Sequence, residues 1–147
     1  MIKDIHIAIV GSMFQKEVTE SLEKHCIKTL KEKGVLDKNI TIVHVPGSLE
    51  IPLIVKMLAK KHIYDAIIAL GAIHKGKTYH FEQIANECIR GCMEVSRQYE
   101  IPVIYEVLAV YDIKDATLRA TRKEEKQGGQ AALTALEMVQ IMQKVSL

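Results

Sequence analysis

The chain has 147 residues, 48% of them hydrophobic and 26% charged, and a net charge of +2. This length predicts one domain over residues 1–147, and the composition excludes an intrinsically disordered protein. The small net charge predicts no nucleic-acid partner, because it provides no basic surface to neutralise a phosphate backbone. The first apolar run, residues 5–10, is too short for a signal peptide or a membrane span, so we expect no membrane partner.

The three cysteines, Cys26, Cys88 and Cys92, are too few and too scattered for a disulfide framework. They indicate reduced, buried thiols in a cytoplasmic protein. Cys88 and Cys92 lie four residues apart on one predicted helix face, as a metal-binding pair would, but no third and fourth ligands follow at zinc spacing. We therefore predict no metal site.

Apolar runs and helical patterns alternate along the chain, separated by glycine or proline. Strands are predicted at residues 5–10, 40–45, 64–70 and 101–110. Helices are predicted at residues 17–34, 48–61 and 80–98, followed by a short helix over 112–122, a bend over 123–129 and a last helix from 129 to 144. Gly34 is the expected cap at the end of the first helix, and Pro52 is tolerated in the first turns of the second. The third helix places these apolar residues on one face: Phe81, Ile84, Ala85, Cys88, Ile89 and Cys92.

Strands separated by helices predict right-handed crossovers and a parallel sheet. The expected fold is a flavodoxin-like three-layer α/β sandwich, in which a four-stranded parallel sheet of order 2-1-3-4 carries helices on both faces. Ligands of such sheets bind beyond the carboxyl ends of the strands. This rule directs attention to four segments, residues 11–15, 46–50, 71–80 and 106–112.

The segment GAIHKGKTYH, residues 71–80, matches the phosphate-binding loop of nucleotide hydrolases, with Gly71, Gly76, Lys77 and Thr78 at the required spacing. Asp112 would be the candidate metal ligand. Against this interpretation, the loop follows the third strand, only one further strand is predicted, and the helical periodicity begins later, at Phe81. The phosphate prediction survives, because free N–H groups at a helix start bind phosphate whatever it is attached to.

Together these segments resemble the 6,7-dimethyl-8-ribityllumazine synthase family of riboflavin biosynthesis. The resemblance extends nearly end to end and depends on VPGSLEIPL, LGAIHKGKTYHFEQIANE and DATLRA, with Phe14-Gln15 where the family favours Phe-Asn. It implies a condensation of 5-amino-6-(D-ribitylamino)uracil with 3,4-dihydroxy-2-butanone 4-phosphate, which releases phosphate and water. It also implies that no metal or organic cofactor is needed.

The resemblance assigns the pyrimidine ring to Phe14 and the ribityl chain to Ser48 and Glu50. Backbone at Gly47, Leu49, Ala72, Ile73 and His74 would complete these contacts, and the phosphate-binding residues would be Gly76, Lys77, Thr78 and, across a subunit boundary, Arg119. A carboxylate suits a polyol because it accepts two charge-assisted hydrogen bonds. The alternative for Glu50 is support of a helix N-terminus.

His80 is the implied proton-transfer residue, since an imidazole titrates near neutral pH and the reaction moves several protons. The alternative is a helix-capping or partly buried histidine. Its position two residues after the phosphate-binding threonine favours catalysis.

The fourth strand departs from the family, which usually has Phe-Gly-Val-Leu-Thr-Thr where this chain has residues 105–110. Tyr105 keeps an aromatic side chain at the position of the family's phenylalanine. Glu106 replaces a glycine, and its carboxylate either accepts hydrogen bonds from N–H groups of the pyrimidine or points into solvent. Gln127 stands where a lysine is frequent. Three alternatives follow: a relative that binds lumazine or flavin without turnover, a relative that acts on a related substrate, such as a riboflavin synthase of the archaeal kind, and, more remotely, the nucleotide hydrolase.

The last helix carries more apolar residues than one face of a surface helix needs, which predicts a partner. Family sites lie between neighbouring subunits of a pentamer. The chain begins almost at its first strand, and the bend before the last helix reads KEEKQGG, so we expect a homo-pentamer or a pair of pentamers and no sixty-subunit shell.

Overall fold

A computed structural model describes residues 1–121 and 127–147. The strands are β1 (Ile7–Ser12), β2 (Ile40–Val45), β3 (Ala66–His74) and β4 (Val103–Val110). The helices are α1 (Lys16–Glu32), α2 (Ile51–Ala59), α3 (His80–Tyr99), α4 (Ile113–Thr121) and α5 (Gln127–Val145). Single turns of 3₁₀ helix occur at Ile2–Asp4, Asp37–Asn39 and Ser48–Glu50.

The four strands form one parallel sheet in the order β2-β1-β3-β4, which confirms the predicted topology. Successive residues of the central strands point to opposite faces. Ile7 and Ile9 pack with α1, α4 and α5, whereas Ala8 and Val10 pack with α2 and α3. The strands are almost continuously apolar because helices cover both faces of the sheet.

The end of α1 was predicted correctly. Gly34 has a φ of +106°, the left-handed region that glycine favours. The N–H of Gly34 donates to the carbonyl of Lys31 and the N–H of Val35 to that of Leu30, each over 3.0 Å. This is a Schellman cap, which satisfies carbonyls that the helix end would otherwise leave unpaired.

The third strand is longer than predicted. Residues 71–74, expected in a loop, pair in parallel with Val107–Val110 of β4 and carry β3 to His74. The glycine at 71 is needed there, since a Cβ at that position would lie 3.1 Å from the Ser48 hydroxyl oxygen and 3.2 Å from Ser12 Cβ. The strand therefore brings its last backbone groups directly to the ligand-binding edge of the sheet.

Several other boundaries also differ. Residues 48–50 form a 3₁₀ turn before α2, although Pro52 lies in the first turn of α2 as expected. On α3, Cys88 and Cys92 are buried as predicted, but Ile89 is 44% exposed.

The last helix begins at Gln127, two residues earlier than predicted, and the rest of the predicted bend lies outside the described residues. Most of the apolar side chains of this helix pack inside the chain. Ala131, Ala135, Leu136 and Val139 are buried in the core shared with α1, and Ile141 remains partly exposed.

Candidate functional site

A cleft of about 520 Å³ lies beyond the carboxyl ends of β1, β2 and β3, on the side of α2 and α3. Its lining residues come from three connecting segments and the first turns of α3: Phe14, Pro46, Gly47, Ser48, Leu49, Glu50, Ala72, Ile73, His74, Gly76, Thr78, His80, Phe81 and Ile84. A cleft of this size holds one small molecule or a pair of small molecules in contact.

Phe14 is held by the segment that follows β2. The N–H of Met13 donates to the carbonyl of Val45 over 2.7 Å, and that of Phe14 donates to Pro46 over 3.1 Å. These bonds extend the β1–β2 pairing one step past both strands and present the aromatic ring, which is 54% exposed, to the cleft.

Gln15, between Phe14 and the start of α1, has a left-handed backbone conformation, with φ 56° and ψ 51°. Its amide nitrogen lies 3.2 Å from Nδ1 of His74, so the loop after β1 is joined to the end of β3. Asparagine adopts left-handed backbone more readily than glutamine, which gives a physical reason for the family's preference for Phe-Asn.

The segment after β2 contributes a buried hydroxyl and an exposed carboxylate. Ser48 is 5% exposed, and its oxygen has no hydrogen-bond partner within residues 1–121 and 127–147. A buried hydroxyl without a partner is costly, and Ser48 has this cost at a residue that lines the cleft. Glu50 directly precedes α2, and in the described part of the chain its side chain makes no capping hydrogen bond.

The segment from β3 to α3 forms the other wall. Ala72 and Ile73 are buried residues of β3 that line the cleft, while residues 75–79 leave the sheet before α3 begins at His80. The N–H of His80 donates to the hydroxyl oxygen of Thr78 over 3.4 Å. His80 itself is exposed, which disfavours the alternative of a partly buried histidine and leaves its imidazole accessible to a ligand.

A family model for 6,7-dimethyl-8-ribityllumazine synthase matches residues 4–143. The chain belongs to this family. Lumazine synthases are transferases of riboflavin biosynthesis that act on small molecules and work as oligomers, and the match confirms the resemblance found in the sequence. The nucleotide-hydrolase alternative gains no support, since α3 begins two residues after Thr78 and not at the Gly-Lys-Thr triplet.

Of the fifteen residues that the lumazine synthase resemblance assigned to the site, the cleft brings together eleven. Four do not line it: Lys77, Tyr105, Glu106 and Arg119. Three lining residues were not predicted: Pro46, Phe81 and Ile84. The periodicity of α3 had assigned Phe81 and Ile84 to the core, and it gave no sign that the core is open there.

Tyr105 and Glu106 lie on opposite faces of β4, the edge strand. Tyr105 packs with the α2 and α3 layer, where burial, followed by the neighbouring Cys88, raises the pKa of its hydroxyl. Glu106 alternates with Tyr105 and Val107, so it faces the α1 and α4 layer, away from its own cleft. Its side chain is half-buried against that layer, so within its own chain it neither lines the cleft nor points fully into solvent.

The environment of Glu106 is poor in compensating charge. Burial raises the pKa of its carboxyl to about 7, and Arg119 on α4 opposes this shift. The same carboxylate contributes, after burial and Glu23, to raising the pKa of the Cys26 thiol to about 12. Glu106 therefore changes its charge close to neutral pH.

The described residues contain neither a metal-binding cluster nor a membrane-spanning helix. No group of three or more His, Cys, Asp or Glu side chains within residues 1–121 and 127–147 is arranged to hold a metal ion. None of the helices in the same ranges is long and apolar enough to cross a membrane.

Proposed function

We propose that the cleft is the site at which this lumazine synthase joins 5-amino-6-(D-ribitylamino)uracil to 3,4-dihydroxy-2-butanone 4-phosphate. The observation that carries the proposal is the single cleft that unites the aromatic residue, the acidic segment, the backbone wall and the phosphate segment expected from the family. These parts come from three separate connections, and the sheet places them at one edge.

The pyrimidine and its ribityl chain occupy the corner between Phe14 and the 46–50 segment. The ring lies against Phe14, and backbone groups of Ala72, Ile73 and His74 frame its polar edge. The unpartnered hydroxyl of Ser48 and the carboxylate of Glu50 bind ribityl hydroxyls, for which a carboxylate is well suited because it accepts more than one hydrogen bond.

The phosphate of the second substrate binds at Gly76, Lys77 and Thr78. These residues precede a 20-residue helix, whose first N–H groups and positive dipole end attract an anion. Gly76 has nothing within 4 Å of the place where a Cβ would stand, so its backbone is open to approach. Lys77 is exposed and adds a positive charge that reaches the phosphate from the cleft rim.

His80 moves protons during imine formation, phosphate elimination and ring closure. The larger part of the acceleration comes from holding the two substrates in register. Positioning supplies roughly 7 to 11 kcal/mol, whereas one acid–base residue contributes about a hundred- to ten-thousand-fold. No cofactor takes part in this scheme.

Neighbouring subunits complete the site. Tyr105, Glu106 and Arg119 lie on β4 and α4 and do not reach the cleft of their own chain. Within the described residues β4 is an edge strand and the Arg119 side chain is exposed, so both are available to a neighbour and support an oligomer. The oligomer we propose is a homo-pentamer or a pair of pentamers, in the cytoplasm. That residues 1–147 form a single domain stays a prediction.

The test is incubation of the purified protein with both substrates, followed by lumazine fluorescence and phosphate release. Fluorescence with equal release of phosphate is the expected result. Tight binding of the pyrimidine without either product would replace the proposal with a lumazine- or flavin-binding function. ATP hydrolysis that is lost in Lys77→Ala would restore the nucleotide interpretation.

A further inference from the structure

An exposed aromatic ring lies against both ends of the phosphate segment, residues 75–79. Tyr111, which directly follows β4, is 76% exposed. The ammonium of Lys75 lies 5.3 Å from the centre of its ring, and the ring of Phe81 lies 6.1 Å away. Lys75 is the first residue of the segment, and Phe81 is the second residue of the helix that follows it.

The backbone adds a third connection at the same point. The N–H of Lys75 donates to the carbonyl of Val110 over 3.0 Å, so the start of the phosphate segment is fixed to the end of β4. Residues 76–78 have no regular secondary structure. Their position therefore depends on how firmly the two ends of the segment are held.

A ring as exposed as that of Tyr111 gains little from burial, so the hydrophobic effect alone does not explain where it lies. Its attraction for Lys75 is a cation–π contact, and its contact with Phe81 is a tilted aromatic pair. Both contacts are made to residues that bracket the phosphate segment, and Phe81 also lines the cleft.

We propose that Tyr111 is a positioning residue that holds the phosphate segment through Lys75 and Phe81. It touches no substrate. It fixes the distance between the two ends of residues 75–79, and so the direction of the N–H groups that receive the phosphate. It also holds the Lys75 charge on the ring, which leaves Lys77 as the lysine of this segment that reaches the ligand.

The inference rests on the proposed function, because it concerns the phosphate half of that cleft. Its test needs one measurement that works without turnover. We choose amide hydrogen exchange over residues 75–80, together with steady-state kinetics in which each substrate is varied separately. The variants are Tyr111→Ala, Tyr111→Phe and Lys75→Met, with Lys61→Met, an exposed lysine just beyond the end of α2, as a matched control.

Tyr111→Ala is expected to speed exchange over residues 75–80 and to raise the KM for the four-carbon phosphate by about 3- to 10-fold. The KM for the pyrimidine stays at the wild-type value. Tyr111→Phe keeps the ring, so its exchange over residues 75–80 and its KM for the four-carbon phosphate stay at the wild-type values. Lys75→Met raises the KM for the four-carbon phosphate by about 2- to 5-fold. Lys61→Met changes neither exchange nor KM.

The outcomes separate the two proposals. If wild-type protein forms no lumazine but Tyr111→Ala speeds exchange over residues 75–80, the positioning role stands and the proposed reaction fails. If lumazine forms and Tyr111→Ala leaves both exchange and KM unchanged, the positioning role is overturned. The positioning role would also be overturned if Tyr111→Phe changed exchange and KM as much as Tyr111→Ala does. A rise in the KM for the pyrimidine as well as for the four-carbon phosphate would have the same meaning.

Discussion

Glu106 is the residue whose chemistry departs most from the family, in which glycine usually occupies this position. The pleat of β4 turns its carboxyl toward α1 and α4, where burial favours the protonated form and Arg119 only partly offsets it. The folded protein therefore binds a proton here more tightly than the unfolded chain does. Stability depends on pH in the range between the two pKa values.

Glu106→Gln should stabilise the protein at alkaline pH. The pKa of this carboxyl is raised from 4.5 to about 7, so the wild-type protein loses stability as pH rises through this range. Glutamine keeps the shape of the side chain and does not ionise. Urea unfolding should show the variant above wild type at about pH 8 and equal to it at about pH 4. Equal stability at both pH values would contradict the assignment.

His80→Ala should leave a slow but measurable enzyme. An acid–base residue contributes about a hundred- to ten-thousand-fold, and the positioning of the two substrates is retained in the variant. Initial rates of lumazine formation, measured with both substrates saturating, give the loss in kcat. A rate equal to that of wild type would remove His80 from the mechanism, whereas complete loss would mean that positioning also depends on it.

At the scale of the elements, α1 and α5 approach each other closely at Gly128. A Cβ added at Gly128 would lie 2.0 Å from the backbone oxygen of Leu22, a distance that real Cβ contacts do not reach. The glycine lets the first turn of α5 lie directly on the middle of α1. Gly128 and Gly129, which were expected to lie at a bend, are therefore part of the packed helix α5.

Gly128→Ala should destabilise the protein by about 1 to 3 kcal/mol, because the backbone of α1 has to move to make room. Gly129→Ala is the matched control. Its Cβ would meet only the Thr29 side-chain oxygen, at 3.0 Å, and alanine gains about 1 kcal/mol of helix propensity over glycine. Thermal unfolding of both variants compares the two effects. A loss in Gly129→Ala as large as that in Gly128→Ala would argue against this explanation.

The sequence predicted the order of the elements and the sheet, because the apolar runs and their glycine and proline boundaries are local signals. It missed the true end of β3, which is set by pairing with β4 across the sheet. Through the resemblance it named eleven of the residues that line the cleft, whose roles stay predictions. It could not show that Glu106 faces away from the cleft or that Tyr111 lies against Lys75, since both depend on tertiary packing.

At the scale of the whole molecule, the cleft of one chain contains His80 but not Arg119. In the proposed oligomer each site takes His80 from one subunit and Arg119 from its neighbour. Two different damaged chains can then form intact sites between them, which a site built within one chain cannot do.

His80→Ala and Arg119→Ala chains should therefore regain activity when they are coexpressed. Random mixing in a ring places intact partners together at about a quarter of the sites, so roughly a quarter of wild-type activity is expected. Oligomers purified separately and combined without subunit exchange provide the control. Activity no higher than the mean of the two single variants would show that the sites are not shared.

In the proposed complex, the hydroxyl of Ser48 couples binding of the pyrimidine to the stability of the fold. A buried hydroxyl without a hydrogen bond costs about 1 to 3 kcal/mol, and this cost falls on the ligand-free chain alone. In the proposed complex a ribityl hydroxyl makes the missing bond, and the ligand binds only the folded state. By mass action a saturating concentration of the pyrimidine then raises the free energy of unfolding. At a low concentration of the pyrimidine a larger fraction of the chains is unfolded and open to proteolysis.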